Sequence, residues 1–324
     1  MGSQTASAIA HPNIAFIKYW GNRDENLRLP MNGSISMNLF ELSTRTMVTF
    51  DSALPKDIFD LNGVRQSGDA LKRVSAHLDL VRGIRGYSAR AHVLSENNFP
   101  SDVGIASSAA AFAALTVAAV RAAGIEMTEK DLSRLARRGS GSAARSIPGG
   151  FVEWFKGTND GDSYARSIAT QDYWNLTDVI ALVSTDKKKT TSTEGHFAAH
   201  ASPIQAARVQ DAERRLTLCR SAILARDFTA LAEVLEQDSN LLHAVTMTSI
   251  PSIYYWLPVT LEIMNSVRDW RKAGIPAAFT IDAGPNVHVI CEHAYEDTVK
   301  DRIGRISGVQ DVILTHPGEN AHLD

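Results

Sequence analysis

Three charged side chains stand where the sequence makes charge expensive. Lys18 closes the apolar run Asn13-Ile14-Ala15-Phe16-Ile17, Asp282 directly follows the apolar residues 277–281, and Arg145 lies inside the small-residue run Gly139-Ser140-Gly141-Ser142-Ala143-Ala144-Arg145-Ser146. Each admits two readings. Lys18 either snorkels to water or is a buried cation aimed into a site. Asp282 is either one more turn former in Asp282-Ala283-Gly284-Pro285-Asn286 or a carboxylate projecting into a cleft. The run around Arg145 is either a flexible linker or an anion-binding loop. A linker seldom leads straight into a core strand such as Phe151-Val152-Glu153-Trp154-Phe155, which favours the loop.

A second small-residue run, Gly104-Ile105-Ala106-Ser107-Ser108-Ala109-Ala110-Ala111, flows into an alanine-rich helix ending near Ala123-Gly124. A helix start offers unpaired N–H groups and a positive dipole end, and the hydroxyls of Ser107 and Ser108 can reach a phosphate oxygen or a metal ion. The run has neither the Gly-Lys-Ser/Thr ending of a Walker A loop nor the Gly-x-Gly-x-x-Gly dinucleotide turn. Phosphate cradle and tightly packed core helix stand as equal readings of it. Lys187-Lys188-Lys189 reads as a solvated turn, or as cations near a nucleotide.

The elements needed to position these groups follow from periodicity. Residues 9–20, 29–39, 46–50 and 89–94 read as strands, with residues 29–39 and 46–50 joined by a turn. Residues 70–83 carry Leu71, Val74, Leu78 and Val81 on one helical face, and Thr128 followed by Asp131 caps a helix that stops at Gly139. Residues 204–225, 228–242 and 254–273 read as long helices, residues 277–281 and 287–291 as strands, and residues 295–306 and 309–314 as a last helix and strand. The result is an α+β chain of two domains, 1–186 and 187–324.

Composition narrows the ligand. With 324 residues, 44% of them hydrophobic, two cores are affordable and disorder is not expected. A net charge of −3 gives no bulk attraction to nucleic acid or an anionic membrane, so an anionic small molecule must be held by local arginines and lysines. Residues 103–120 carry no charge over the length of a membrane span, yet their alanine content marks a buried helix instead. Cys219 and Cys291 lack metal-ligand spacing and read as reduced thiols. No basic region followed by an apolar stretch opens the chain, so the expected location is cytoplasmic.

Together these stretches resemble the mevalonate diphosphate decarboxylase branch of the GHMP kinase superfamily, from about Asn13 to Ile290. The matching elements are Asn13-Ile14-Ala15-x-x-Lys18-Tyr19-Trp20-Gly21, Arg23-Asp24, Leu29-Pro30-x-Asn32-x-Ser34, Gly104-x-Ala106-Ser107-Ser108-Ala109-Ala110, Gly139-Ser140-Gly141-Ser142-Ala143-x-Arg145-Ser146, Asp238-Ser239-Asn240 and Asp282-Ala283-Gly284-Pro285-Asn286. The resemblance implies a ribosomal-S5-domain-2-like N-terminal domain, a ferredoxin-like C-terminal domain and a cleft between them. It implies ATP and Mg²⁺, a mevalonate 5-phosphate or 5-diphosphate ester as substrate, and a homodimer. By the family pattern Asp282 contacts the 3-hydroxyl, Lys18 keeps that carboxylate ionised, and Arg145 clamps the substrate carboxylate. Ser107 or Ser108 meets Mg²⁺, with the Gly104, Ile105 and Ala106 backbone, Ser95 and Asn97 on the nucleotide side. Tyr19, Asn22, Ser140, Gly141 and Ser142 face the 5-phosphate end.

One departure bears on the substrate. Diphosphate-using members resemble Lys-Tyr-Trp-Gly-Lys, whereas this chain has Lys18-Tyr19-Trp20-Gly21-Asn22, and His200 falls where some bacterial members carry an arginine. Each lost cation removes charge-assisted hydrogen bonds of roughly 1.5–3 kcal/mol. The expectation is therefore 5-phosphomevalonate, giving isopentenyl phosphate, with the diphosphate as the alternative and phosphorylation without decarboxylation as a second one. Arg23 and Arg28 are candidate substitutes for the missing lysine.

Overall fold

The computed structural model describes residues 4–99, 107–185 and 190–324. Alternation builds the first sheet: in Thr44–Asp51 the side chains of Thr44, Thr46, Val48 and Phe50 are buried while Arg45 faces water, and Arg90–Asn97 pairs beside it antiparallel. These strands centre a six-stranded sheet ordered His322–Leu323, Gln4–Ala10, Thr44–Asp51, Arg90–Asn97, Ile58–Leu61, Val64–Arg65. Ser107–Ala122 lies against Gln4–Ala10 and Thr44–Asp51, its small side chains allowing close approach. The ring of Phe112 reaches so near Glu129–Gly139 that a Cβ on Gly139 would stand 2.1 Å from it, which restricts that position to glycine.

The second sheet runs Ala165–Ala169, Phe151–Trp154, Ser34–Asn38, Asn13–Ile17, and its last three strands are buried on both faces. The third runs Ala277–Thr280, Val287–Glu292, Leu176–Leu182, Asp311–Thr315, all antiparallel. Ile14, Phe16, Ile35 and Phe151 share one core with Ile180 and Ile290 and with Leu231 and Leu235 of Phe228–Met247. Burial of the second sheet between these layers carries Lys18 to the centre of the molecule.

Several expectations change in detail. Residues 29–39 split into Leu29–Pro30 and Ser34–Asn38, and the latter lies in a different sheet from Thr44–Asp51, because both of its faces are covered. Residues 204–225 form Gln205–Gln210 and Ala212–Ala225, broken at Asp211, whose carboxylate takes Arg214 and Arg215 at 2.7 and 2.6 Å. The sheets exchange strands across the expected division at 186/187, since Leu176–Leu182 is central to the third sheet and His322–Leu323 edges the first. Residues 107–120 are helical as expected, while residues 103–106 lie outside those described. Among the described residues no helix is long and apolar enough to cross a membrane.

His77, on Gly68–Arg85, is locked beneath this core. The Thr116 hydroxyl donates to the Phe112 carbonyl (2.6 Å), so it accepts from His77 Nε2 (2.8 Å), and His77 Nδ1 has no partner. Burial pushes the His77 pKa down to about 3. The unfolded chain therefore takes up a proton below its ordinary value near 6.5 that the native state refuses, and stability falls as pH drops from there towards 3. At pH 5 the loss from this group is about 2 kcal/mol. Urea unfolding at pH 7 and pH 5 should show a shallower loss in His77→Gln than in the parent chain, and equal losses would refute the assignment.

Candidate active site

A cavity of about 380 Å³ opens where the second sheet, the helix start at Ser107 and the turn after Ala277–Thr280 meet. Lys18, Tyr19, Ser107, Ser108, Ser140, Gly141, Ser142, Arg145 and Asp282 all line it. Lys18 is 1% exposed, and its Nζ donates to Asp282 Oδ1 at 2.5 Å. Burial pushes the Lys18 ammonium below its ordinary range while Asp282 draws it back up. Burial likewise works to raise the Asp282 carboxyl, but Lys18, His288 and Arg145 outweigh it and leave the group below the usual carboxylate range. Asp282 is also a turn residue, its carbonyl accepting the Gly284 N–H at 2.8 Å, so the two readings of that stretch hold together.

The Lys18 backbone is fixed as tightly as its side chain. Its N–H donates to Asp238 Oδ2 (2.6 Å), and its carbonyl accepts from Asn32 (3.0 Å) and Arg208 (2.8 Å). Asp238, fully buried on Phe228–Met247, also accepts from Arg215 Nε at 2.7 Å. Arg145 is held differently, through Asn13 Oδ1 (3.1 and 3.0 Å) and Ser34 Oγ (2.6 Å), all neutral acceptors. Burial lowers its pKa to about 10 although Asp282 draws it back up, which leaves it charged at neutral pH with no carboxylate in hydrogen-bond contact among the described residues.

The run around Arg145 folds as a 3₁₀ helix, Gly141–Ser146. Gly141 lies beneath Tyr19, where a Cβ would come within 2.5 Å of the ring. Ser108 Oγ is 3.2 Å from Ser140 Oγ, which is 3.4 Å from Ser142 Oγ, so a line of hydroxyls joins the two small-residue runs. Tyr19 donates to Asn22 Oδ1, and Asn22 Nδ2 donates to Glu25 (2.8 Å); Asn22 is buried behind the wall instead of lining it. Ser95 and Asn97 sit on Arg90–Asn97 with Thr46 and Thr44 as partners, away from the lining. Gly104, Ile105 and Ala106 lie outside the described residues.

The cavity also gathers side chains that local sequence did not single out. Thr191, Ser192 and Thr193 reach it from the start of Ser192–Ala198, and His196 from its second turn. The signal was the capping pair Thr191 and Glu194, visible in the sequence as Thr-x-x-Glu. His200 is exposed and outside the lining, so His196 is the histidine of this wall. His196 Nδ1 accepts the Gly21 N–H (2.9 Å), its ring lies 4.1 Å from that of Tyr19, and burial lowers its pKa to about 3. It is neutral. Arg28 lines the cavity, whereas Arg23 turns to the carbonyls of Gly157 and Lys156.

A buried ion pair, a buried guanidinium held by neutral acceptors and two hydroxyl-rich loops on one cavity suit the handling of a small polyanion. Residues 10–165 match the diphosphomevalonate decarboxylase-like N-terminal domain, and residues 178–319 the mevalonate 5-diphosphate decarboxylase C-terminal domain. The diphosphomevalonate decarboxylase of Candida albicans is 40% identical over 313 residues, spanning 91% of this chain and 86% of that protein. The phosphomevalonate decarboxylase of Haloferax volcanii is 35% identical over 300 residues, spanning 92% and 91%. A solved structure described as "MDDEF in complex with MVAPP, AMPPCP and Magnesium" superposes with a TM-score of 0.94 at 38% identity, covering 100% of this chain and 99% of that one. The chain belongs to the diphosphomevalonate decarboxylase family, with its two-domain α+β fold, and is an ATP-dependent carboxy-lyase.

Asp238→Asn keeps the shape of the clamp but leaves the buried guanidiniums of Arg208 and Arg215 short of a carboxylate. Urea unfolding should show a loss of about 3 kcal/mol, and a loss below about 1 kcal/mol would mean that the clamp carries no charge role.

Proposed function

We propose that this enzyme phosphorylates the 3-hydroxyl of 5-phosphomevalonate with ATP and then releases CO₂ and phosphate, giving isopentenyl phosphate. The observation that carries the reaction is the Lys18–Asp282 pair at 2.5 Å on the wall of a cavity that also presents Arg145, held by neutral acceptors. Asp282 orients the hydroxyl and takes its proton as the oxygen attacks the γ-phosphorus, and Lys18 keeps the carboxylate ionised for that task. Arg145 holds the substrate carboxylate bidentately. When the C–C bond to that carboxylate breaks, its electron pair forms the alkene and the phosphorylated oxygen leaves with the C–O pair. The Ser107 and Ser108 hydroxyls, hard oxygen donors on the cavity wall, suit Mg²⁺ beside the nucleotide phosphates. Mg²⁺ supplies neutralisation of charge on the transferred phosphoryl group.

The number of phosphates divides the observations. Most of the named relatives are diphosphomevalonate decarboxylases, which favours the diphosphate as a second reading. The cavity supports the monophosphate: the Asn22 side chain is committed to Tyr19 and to the acidic Glu25, and neighbouring His196 is neutral. Among the described residues Arg28 and Arg73 line the cavity as further cations, and they support the second reading.

Release of ADP and CO₂ from the two esters at equal concentration decides between them, a preference for the diphosphate overturning the monophosphate reading. Asp282→Asn should lower kcat by roughly 10²–10⁴-fold with substrate affinity within about tenfold; near-normal CO₂ release would remove Asp282 from its role. Asn22→Lys should raise the diphosphate-to-monophosphate activity ratio, and an unchanged ratio would mean that position 22 does not read the phosphate end.

A further inference from the structure

Away from the cavity, four side chains meet at one end of the third sheet, where Val287–Glu292 and Asp311–Thr315 stop. His293 follows Val287–Glu292, Glu296 opens Glu296–Gly304, His316 follows Asp311–Thr315, and Glu41 comes from the connection between Ser34–Asn38 and Thr44–Asp51. His293 Nδ1 and His316 Nε2 each lie 2.9 Å from Glu296 Oε2, and the ligand atoms of all three residues fall within 4.8 Å of one another. Among the described residues no other group of three such side chains is gathered this closely.

The ring of His316 stands between two carboxylates. Glu41 Oε1 lies 2.7 Å from His316 Nδ1 and its Oε2 accepts the His316 N–H at 2.8 Å, which fixes the ring and, in the neutral imidazole, places the proton on Nδ1. Nε2 then faces Glu296, an arrangement completed either by a second proton on the ring or by a metal ion shared by Nε2 and that carboxylate. Glu296 Oε2 is meanwhile oriented by the Thr177 hydroxyl at 2.7 Å. An outer carboxylate on one ring nitrogen, with the other nitrogen free to ligate, is the arrangement that supports metal-bound histidine.

We propose that His293, Glu296 and His316 form a site for a divalent transition-metal ion of the zinc class, with Glu41 as its outer carboxylate. Two imidazoles and one carboxylate are a borderline-soft donor set suited to Zn²⁺, and unsuited to Mg²⁺ or Ca²⁺, which take oxygen. Tetrahedral ligands about 2.1 Å from the ion stand about 3.4 Å apart, so the two 2.9 Å separations would open by about half an ångström and that between the two imidazole nitrogens, within 4.8 Å, would settle at the same value. Because Glu41 belongs to the N-terminal half and the three ligands to the third sheet, a bound ion would tie the two together.

The test uses the full chain stripped of metal and free of nucleotide, titrated calorimetrically with ZnCl₂, with CoCl₂ as a coloured surrogate. One Zn²⁺ per chain is expected, with Co²⁺ giving visible d–d bands of low coordination number, and Zn²⁺ raising the melting temperature. His293 is 45% exposed, so His293→Ala should fold normally while losing the bands and the melting shift. Glu41→Gln should weaken Zn²⁺ about 10–100-fold at unchanged stoichiometry. Absence of saturable Zn²⁺ binding to the parent chain, or binding that persists undiminished in both His293→Ala and His316→Gln, would overturn the proposal.

Discussion

The structure is arranged around one ammonium group kept out of water. Burying an isolated lysine costs several kcal/mol, so Lys18 is tolerable only with a carboxylate against its Nζ and every backbone polar group around it satisfied. Those partners are far away in sequence. Asp282 lies 264 residues on and Asp238 lies 220, in the turn and the helix that pack onto the second sheet. The Lys18–Asp282 pair therefore exists only when the third sheet and Phe228–Met247 have docked. Assembly of the core and assembly of the site are the same event.

Two kinds of buried arginine follow from this. Arg215 is spent on structure: its guanidinium meets Asp238 and Asp211, and its charge is answered within the fold. Arg145 is equally buried but is held by an amide oxygen and a hydroxyl, which fix its orientation without neutralising it. Holding it costs desolvation that an anion bound beside it would offset, whereas Arg215 is already answered by two carboxylates. Burial alone would have grouped the two together.

Much of the site was legible because charge in an apolar context is rare enough to be noticed. Lys18, Arg145 and Asp282 stand out against their neighbours, and the strands beside them follow from β-branched and aromatic residues. What could not be read was depth. Asn22 and Ser140 look alike as polar residues that each follow a glycine, yet one is buried behind Tyr19 and the other lines the cavity. His196 was passed over for His200, four residues on, because only the position of Ser192–Ala198 against Trp20 shows which ring turns inward. The split of residues 29–39 had the same origin: strand pattern reveals a buried face, but not which of two sheets will cover it.

The small-residue runs show why the paired readings were not true alternatives. Gly139 is required by the ring of Phe112 and Gly141 by that of Tyr19, so both are packing residues. Yet the same absence of side chains brings Ser108, Ser140 and Ser142 into one line of hydroxyls on the cavity wall. A helix that packs tightly against a sheet presents its N-terminal residues at the sheet's end whatever their function. Tight packing is thus the means by which the polar ends of two loops meet at one place, and an anion-binding surface of this kind can be built only from residues that also read as core.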